Sequence, residues 1–133
     1  MNTTGIGRTG EQLAVSYLKK LGCKVVCQNY RAGHGEIDII AKDGKTLVFY
    51  EVKSRTPASV FKYGSGRYAL DARKKAAFIS AVKMYLYKNA IQSPVRIDVI
   101  EISFKGDTFF EYDLKHFKNA FGEQSTPYTY RKF

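Results

Sequence analysis

Apolar residues recur at helical spacing from Gly10 to Leu21, where Ala14, Leu18 and Leu21 form a stripe with Leu13 and Tyr17 beside it. Thr9 followed by Gln12 reads as a capping box that sets the helix start, and Gly22 is a natural stop. Lys24 to Tyr30 reads as a strand that runs into the loop Arg31-Ala-Gly-His-Gly35. Two further β-like runs, Glu36 to Ala41 and Thr46 to Lys53, flank Lys42-Asp43-Gly44-Lys45, and Asp-Gly between apolar runs predicts a hairpin. Ser54 to Leu70, with Pro57, Gly64 and Gly66, reads as loop. A long helix is predicted from Asp71 to Asn89, with Phe78, Ile79, Val82, Tyr85 and Leu86 at helical spacing. Pro94 precedes a strand from Val95 to Ser103. Lys105-Gly106-Asp107 turns into a short run ending near Tyr112, and Leu114 to Phe121 reads as a final helical turn or two. The order α-β-β-β-α-β predicts an α/β protein, a mixed sheet flanked by helices. Residues 1–122 form one domain in this reading, and residues 123–133 are expected to be a loosely held tail.

Pairing the hairpin decides where its acids fall. With Asp43-Gly44 as a two-residue turn, Lys42 faces Lys45, Asp38 faces Phe49 and Glu36 faces Glu51. Alternation then puts Glu36, Asp38, Glu51 and Lys53 on one face, and Ile37, Ile39, Ala41, Val48, Tyr50 and Val52 on the other. A different turn length would set Asp38 opposite Glu51 and leave the faces unchanged. An antiparallel hairpin often has one solvated face. Here Ile40, Leu47 and Phe49 share the acidic face, so it must be partly covered. Half-buried like charges repel unless something neutralises them, and a divalent cation would. Glu11 adds an acid from the first helix, three residues before Ala14 and seven before Leu18 on the apolar stripe. An acid in a first helical turn can also serve the helix dipole alone.

All-oxygen ligation points to Mg²⁺ or Mn²⁺. His34, His116, Cys23 and Cys27 lack the spacings of a zinc site. Extended, the two cysteines lie about 13 Å apart, too far to bridge, and a reduced cytoplasm is the expected setting. No apolar run approaches the ~20 residues of a membrane span, and the start carries no signal-peptide core.

The 133-residue chain carries 22 Lys and Arg against 12 Asp and Glu, a net charge of +10, which favours a polyanionic partner. The excess is concentrated. Between Val52 and Asn89 lie Lys53, Arg55, Lys62, Arg67, Arg73, Lys74, Lys75, Lys83 and Lys88 against Asp71 alone. Tyr63 and Tyr68 interleave as stacking or phosphate-contact residues would. Arg73, Lys74 and Lys75 fall in a first helical turn, where cations oppose the dipole and helix stability does not explain them. Arg55, Tyr63, Arg67, Tyr68, Arg73, Lys74 and Lys75 are therefore the expected nucleic-acid-binding residues. Arg96 and Asp98, two apart on a strand, read as structural.

Asp38 followed by Glu51-Val52-Lys53 after a hairpin, with Glu11 on a preceding helix, resembles the PD-(D/E)XK nuclease superfamily, with Ile37 in the place of the motif's proline. The longer string is more specific: Gly10-Glu11, Asn29-Tyr-Arg31, Gly35-Glu-Ile-Asp38, Phe49-Tyr-Glu-Val-Lys-Ser-Arg55, Lys74 and Arg96-Ile-Asp98. It resembles the YraN-like family of small bacterial proteins, relatives of archaeal Holliday-junction resolvases, over roughly Gly5 to Ile102. The resemblance implies a restriction-endonuclease-like αβββαβ core. It implies Asp38 and Glu51 as metal ligands together with the Val52 carbonyl, Lys53 as catalytic lysine and Glu11 as the helix acid of the site. The implied activity is phosphodiester hydrolysis in branched or structured DNA, with Mg²⁺ or Mn²⁺ as cofactor. A non-catalytic nucleic-acid-binding module on the same fold and an RNA-processing nuclease are the alternatives, and a homodimer is left open. Glu36 reads either as an outer ligand or as a rim charge.

Overall fold

A computed structural model describes residues 3–57, 72–106, 111–120 and 127–132. Helix α1 (Thr3–Lys20) leads into β1 (Lys24–Ala32), β2 (Gly35–Asp43) and β3 (Thr46–Arg55). Helix α2 (Ala72–Lys88) precedes β4 (Val95–Phe104), β5 (Tyr112–Phe117) and β6 (Pro127–Lys132). The strands form one sheet in the order β1-β2-β3-β4-β5-β6. Among the described residues, only β3 and β4 run parallel. A parallel pair needs a crossover, and the segment containing α2 provides it. This is the α/β, restriction-endonuclease-like arrangement expected.

Each helix covers one sheet face. Ala14, Tyr17 and Leu18 of α1 pack on Ile39, Ala41, Val48, Tyr50, Ile100 and Ile102. Phe78, Ala81 and Val82 of α2 pack on Ile37, Ile40, Leu47 and Phe49, so α2 covers the face that carries the acids. Covered on both sides, β3 is buried continuously from Leu47 to Tyr50. Among the described residues, no helix is long and apolar enough to cross a membrane. Cys23 and Cys27 are free thiols.

Several local expectations are corrected. Helix α1 begins at Thr3, well before Thr9. Thr9 does not cap it; its hydroxyl donates back to the Gly5 carbonyl at 3.0 Å within the helix. Leu21 lies past the helix end and is exposed. Arg31 and Ala32 belong to β1, and the tight turn is Gly33-His34, since Ala32 pairs with Gly35. In the next hairpin Asp43 pairs with Thr46, so the turn is Gly44-Lys45. Gly44 takes the first central position with φ of +62°, where a primed turn needs glycine. The register shifts accordingly, and Phe49 pairs with Ile40 rather than Asp38. Tyr112–Phe117 is a strand, because Tyr112, Leu114 and His116 bury on alternate positions. Residues 127–132 pair with β5 as β6 rather than hanging loose, in keeping with the β-favouring Tyr-Thr-Tyr run at their centre.

Two glycines set how closely the helices approach. A Cβ on Gly10 would strike the Ser54 hydroxyl of β3, and a Cβ on Gly35 would strike the Ala77 carbonyl of α2. The second obstacle is backbone, which cannot rotate away. Gly35→Ala is therefore expected to cost about 1–3 kcal/mol, as overpacking typically does, and to push α2 off β2. Urea denaturation measures the first effect; an unchanged midpoint would mean that α2 does not seat on Gly35.

Candidate active site

Pairing between β2 and β3 ends at Ile39 and Tyr50. Beyond that point Ile37 joins the α2 layer while Ile39, two residues on, joins the α1 layer. Strict alternation therefore fails at Ile37, which does not share a face with Ile39 as expected. Where the ladder stops, the Val52 N–H donates to Asp38 Oδ2 at 2.8 Å, a side chain standing in for a backbone acceptor. Asp38 and Glu51 come together at this splay, each within the other's electrostatic reach. Lys53 Nζ lies 3.7 Å from Glu51 Oε1, both side chains largely covered.

The electrostatics are those of crowded acids. Burial, then the charge of Asp38, pushes Glu51 up to about 8 against the pull of Lys53 and Lys74. Burial also raises Asp38, opposed by the Val52 N–H and reinforced by Glu36. A carboxyl pair that shares one proton is the physical result. Burial, followed by the charges of Asp38 and Glu36, lifts Glu11 of α1 to about 7.

Asn29 links Glu11 to the rim. With its amide assigned so that nitrogen meets acceptors, it donates to Glu11 Oε1 at 2.9 Å and Glu36 Oε1 at 3.1 Å. It holds φ of +54°, a conformation that asparagine tolerates better than most residues. Glu36 also accepts from Arg31 Nε at 3.1 Å, which makes it a compensated rim charge. The motif string contained Asn29, Arg31 and Glu36, but nothing in a sequence says that one amide spans two strands and a helix.

A cavity of about 320 Å³ opens over the acids, lined by Asp38, Glu51, Glu36, Lys74 and Phe78, with His34 and Gly35 from the β1–β2 turn and Ala77 from α2. Lys74 is thus brought to the carboxylates. Arg73 and Lys75 are exposed in the same first turn of α2. Arg55 is not at the surface: it is buried on β3, its Nε 3.5 Å from Glu101 Oε2 of β4, and cannot meet a polyanion from there. Its expected binding role is withdrawn. Tyr63, Arg67 and Tyr68 lie outside the described residues.

Among the described residues, no group of three or more His, Cys, Asp and Glu side chains is arranged to hold a metal ion. What is present, two convergent half-buried carboxylates facing an open cavity, suits a hard cation of one kind. Mg²⁺ is commonly held by one or two carboxylates, with waters and substrate phosphate completing its shell. Asp38 and Glu51 fit that donor set.

A mixed sheet with a helix on each face, and Asp38 and Glu51-Val52-Lys53 meeting where two strands splay, defines a protein of the PD-(D/E)XK-like nuclease superfamily. The sequence matches the uncharacterised protein family UPF0102 over residues 10–102, and the chain belongs to that family, the YraN-like family. It is similar to the UPF0102 protein of Carboxydothermus hydrogenoformans, 38% identical over 121 residues covering 90% of this chain and 98% of the relative. A Legionella pneumophila relative is 41% identical over 117 residues, covering 86% of this chain and 92% of its own length. One from Thermotoga petrophila is 35% identical over 108 residues, covering 78% and 92%.

Proposed function

We propose that this protein is a divalent-cation-dependent endonuclease that hydrolyses phosphodiester bonds in branched or otherwise structured DNA. The observation that carries the reading is the convergence of half-buried Asp38 and Glu51 on one cavity with Lys53 beside them. Two acids desolvated together destabilise a fold, and a site that binds a cation gives them a use. Asp38, Glu51 and the Val52 carbonyl would hold Mg²⁺ or Mn²⁺. The cation, when bound, supplies Lewis-acid polarisation of a phosphate oxygen and a lowered pKa for water.

The chain's own residues do the rest. Lys53 orients the attacking water and places an ammonium where charge develops on the phosphate. Glu11, held by Asn29, stands in the same acidic field and can accept a proton near neutral pH. Water attacks phosphorus and gives up a proton to Glu11 or to solvent, one phosphorus–oxygen ester bond breaks, and the leaving oxygen takes up a proton from solvent. The exposed start of α2, with Arg73, Lys74 and Lys75, tracks the strand's phosphates.

The deciding experiment incubates the protein with four-way junction, duplex and single-stranded DNA and with RNA, with Mg²⁺ or Mn²⁺ and with chelator. Metal-dependent cleavage of the junction supports the reading. Binding without cleavage would assign a non-catalytic module on the same fold, and cleavage confined to RNA would assign an RNA-processing nuclease.

Replacing Arg73, Lys74 and Lys75 together by glutamine is expected to weaken binding to all sequences alike. For each phosphate no longer neutralised, the slope of log affinity against log salt should fall by about 0.7–0.9. An unchanged slope in a salt titration would show that this turn is only a solvated face.

A further inference from the structure

The β1–β2 turn carries a side chain that the fold does not use. His34 is exposed and lines the cavity beside Asp38 and Glu51. Among the described residues, none gives it a hydrogen bond or an ion pair. Its mount is nonetheless fixed on both sides. Gly33 holds φ of +60°, which side chains rarely adopt, and a Cβ there would already touch Met84 of α2 at 3.4 Å. Gly35 lies against the Ala77 carbonyl so closely that no Cβ fits. Gly35 therefore seats the turn on α2, Gly33 supplies its left-handed corner, and the imidazole between them is set at the rim of the acidic cavity.

Lys74, from the first turn of α2, lines the same cavity. The cavity thus pairs carboxylates with an imidazole and an ammonium. A phosphodiester cannot approach bare carboxylates without a counter-charge, and donors at the rim are needed to hold its non-bridging oxygens. Imidazole keeps at least one N–H whether neutral or protonated, so it can donate across the working pH range.

We infer that His34 is a substrate-binding residue that donates a ring N–H to a non-bridging oxygen of the nucleic-acid backbone, with Lys74 engaging the same strand. The inference rests on the nuclease reading above and adds to it the residue that holds the phosphate over Asp38 and Glu51. A phosphate contact carries no base information, so the effect of His34 is independent of sequence.

The test uses the full chain, its His34→Ala and His34→Gln variants, and two probes, a four-way DNA junction and an unstructured single strand. Affinity is measured in chelator, KM and kcat in Mg²⁺, and the Mg²⁺-induced shift in Tm on each protein. His34→Ala should weaken both probes about tenfold, the worth of one hydrogen bond to a charged acceptor at the lower end of its range. KM should rise with it while kcat and the Mg²⁺-induced shift stay unchanged. His34→Gln, whose amide also donates, should recover most of the affinity.

Equal binding by parent and both variants would overturn the inference alone. So would loss of the Mg²⁺-induced shift in His34→Ala, which would make His34 a metal ligand instead. A parent that binds but never cleaves removes the nuclease reading, and the affinity comparison still decides His34. A parent with no affinity for either probe overturns both.

Discussion

Glu51→Gln should abolish divalent-dependent cleavage, by at least about a thousandfold as for other members of a cooperating catalytic set, while leaving the metal-free fold as stable or more so. The sign follows from the site's electrostatics. Glu51 is raised from an ordinary 4.5 to about 8, chiefly by burial and then by Asp38. A carboxyl whose folded value is raised favours the fold in its protonated form, so its contribution is best below 4.5 and is lost as pH rises towards 8. Glutamine copies the protonated shape. Parent and variant should therefore have similar Tm at pH 4, and the variant should gain as pH rises through neutrality. Against this stands the lost partner of Lys53, 3.7 Å away, but its attraction ranks below burial and the repulsion from Asp38.

The same substitution separates a metal site from a structural one. A ligand that binds only the folded state raises stability by about 2.7 kcal/mol at a hundred times its Kd. Mg²⁺ or Mn²⁺ should raise the parent's Tm, increasingly so as pH rises towards 8 and protons compete less, and should leave Glu51→Gln nearly unmoved. If Glu51→Gln instead loses stability at pH 8 and neither protein responds to the cations, Glu51 is a partner for Lys53 and no more.

The convergence of Asp38 and Glu51 was legible because it needs only a hairpin, a turn signal and alternation, all local in sequence. The details that failed are those in which distant chain segments decide. Asp43-Gly44 identified the hairpin, but the ladder closes at Asp43 and Thr46, so the glycine serves as the first rather than the second turn residue. Ile37 was misplaced because alternation presumes an unbroken ladder, and this one ends at Ile39 to admit the Asp38 side chain. Arg55 lies two residues beyond Lys53 and reads as part of the same basic run. Its neighbour Glu101 arrives on β4, paired in parallel across a crossover that no local pattern specifies. The run from Leu114 to Phe121 fits helical and alternating spacing alike, as short apolar runs do, and pairing with β4 makes its first part, up to Phe117, a strand. Lys74 and His34 reach one cavity only because Gly35 lets α2 rest on the β1–β2 turn.

The largest loss of stability is expected at Asp98, far from any role in the proposed chemistry. This side chain is fully buried on β4. Its Oδ1 accepts from Arg96 Nε at 2.9 Å and from the Asn119 N–H at 2.9 Å, and its Oδ2 from Arg96 Nη2 at 3.0 Å and His116 Nε2 at 2.7 Å. His116 in turn is bonded through Nδ1 to the Tyr17 hydroxyl of α1 at 2.8 Å, and Arg96 reaches on to Asp43 at 3.1 Å in the β2–β3 hairpin. One carboxylate thus ties α1, the hairpin, β4 and the residues after β5. Burial alone would raise its pKa, but the bonds from His116, Arg96 and Asn119 outweigh burial and hold it below the ordinary 3.8. The stability it contributes is therefore complete above 3.8 and is lost only as pH falls through its lower folded value. Asp98→Ala leaves the buried His116 without its acceptor and the part-buried Arg96 with Asp43 alone, and removing one partner of a buried pair costs about 3–5 kcal/mol. That is a large share of the roughly 5–15 kcal/mol that holds a domain together. Tyr17→Phe, which removes the hydroxyl bonded to His116 at the edge of the network, should cost about 0.5–1.5 kcal/mol. Urea denaturation at neutral pH ranks the two. A loss for Asp98→Ala no greater than that for Tyr17→Phe would mean that the network does not act as a unit, and that α1 is held to the sheet by its apolar stripe alone.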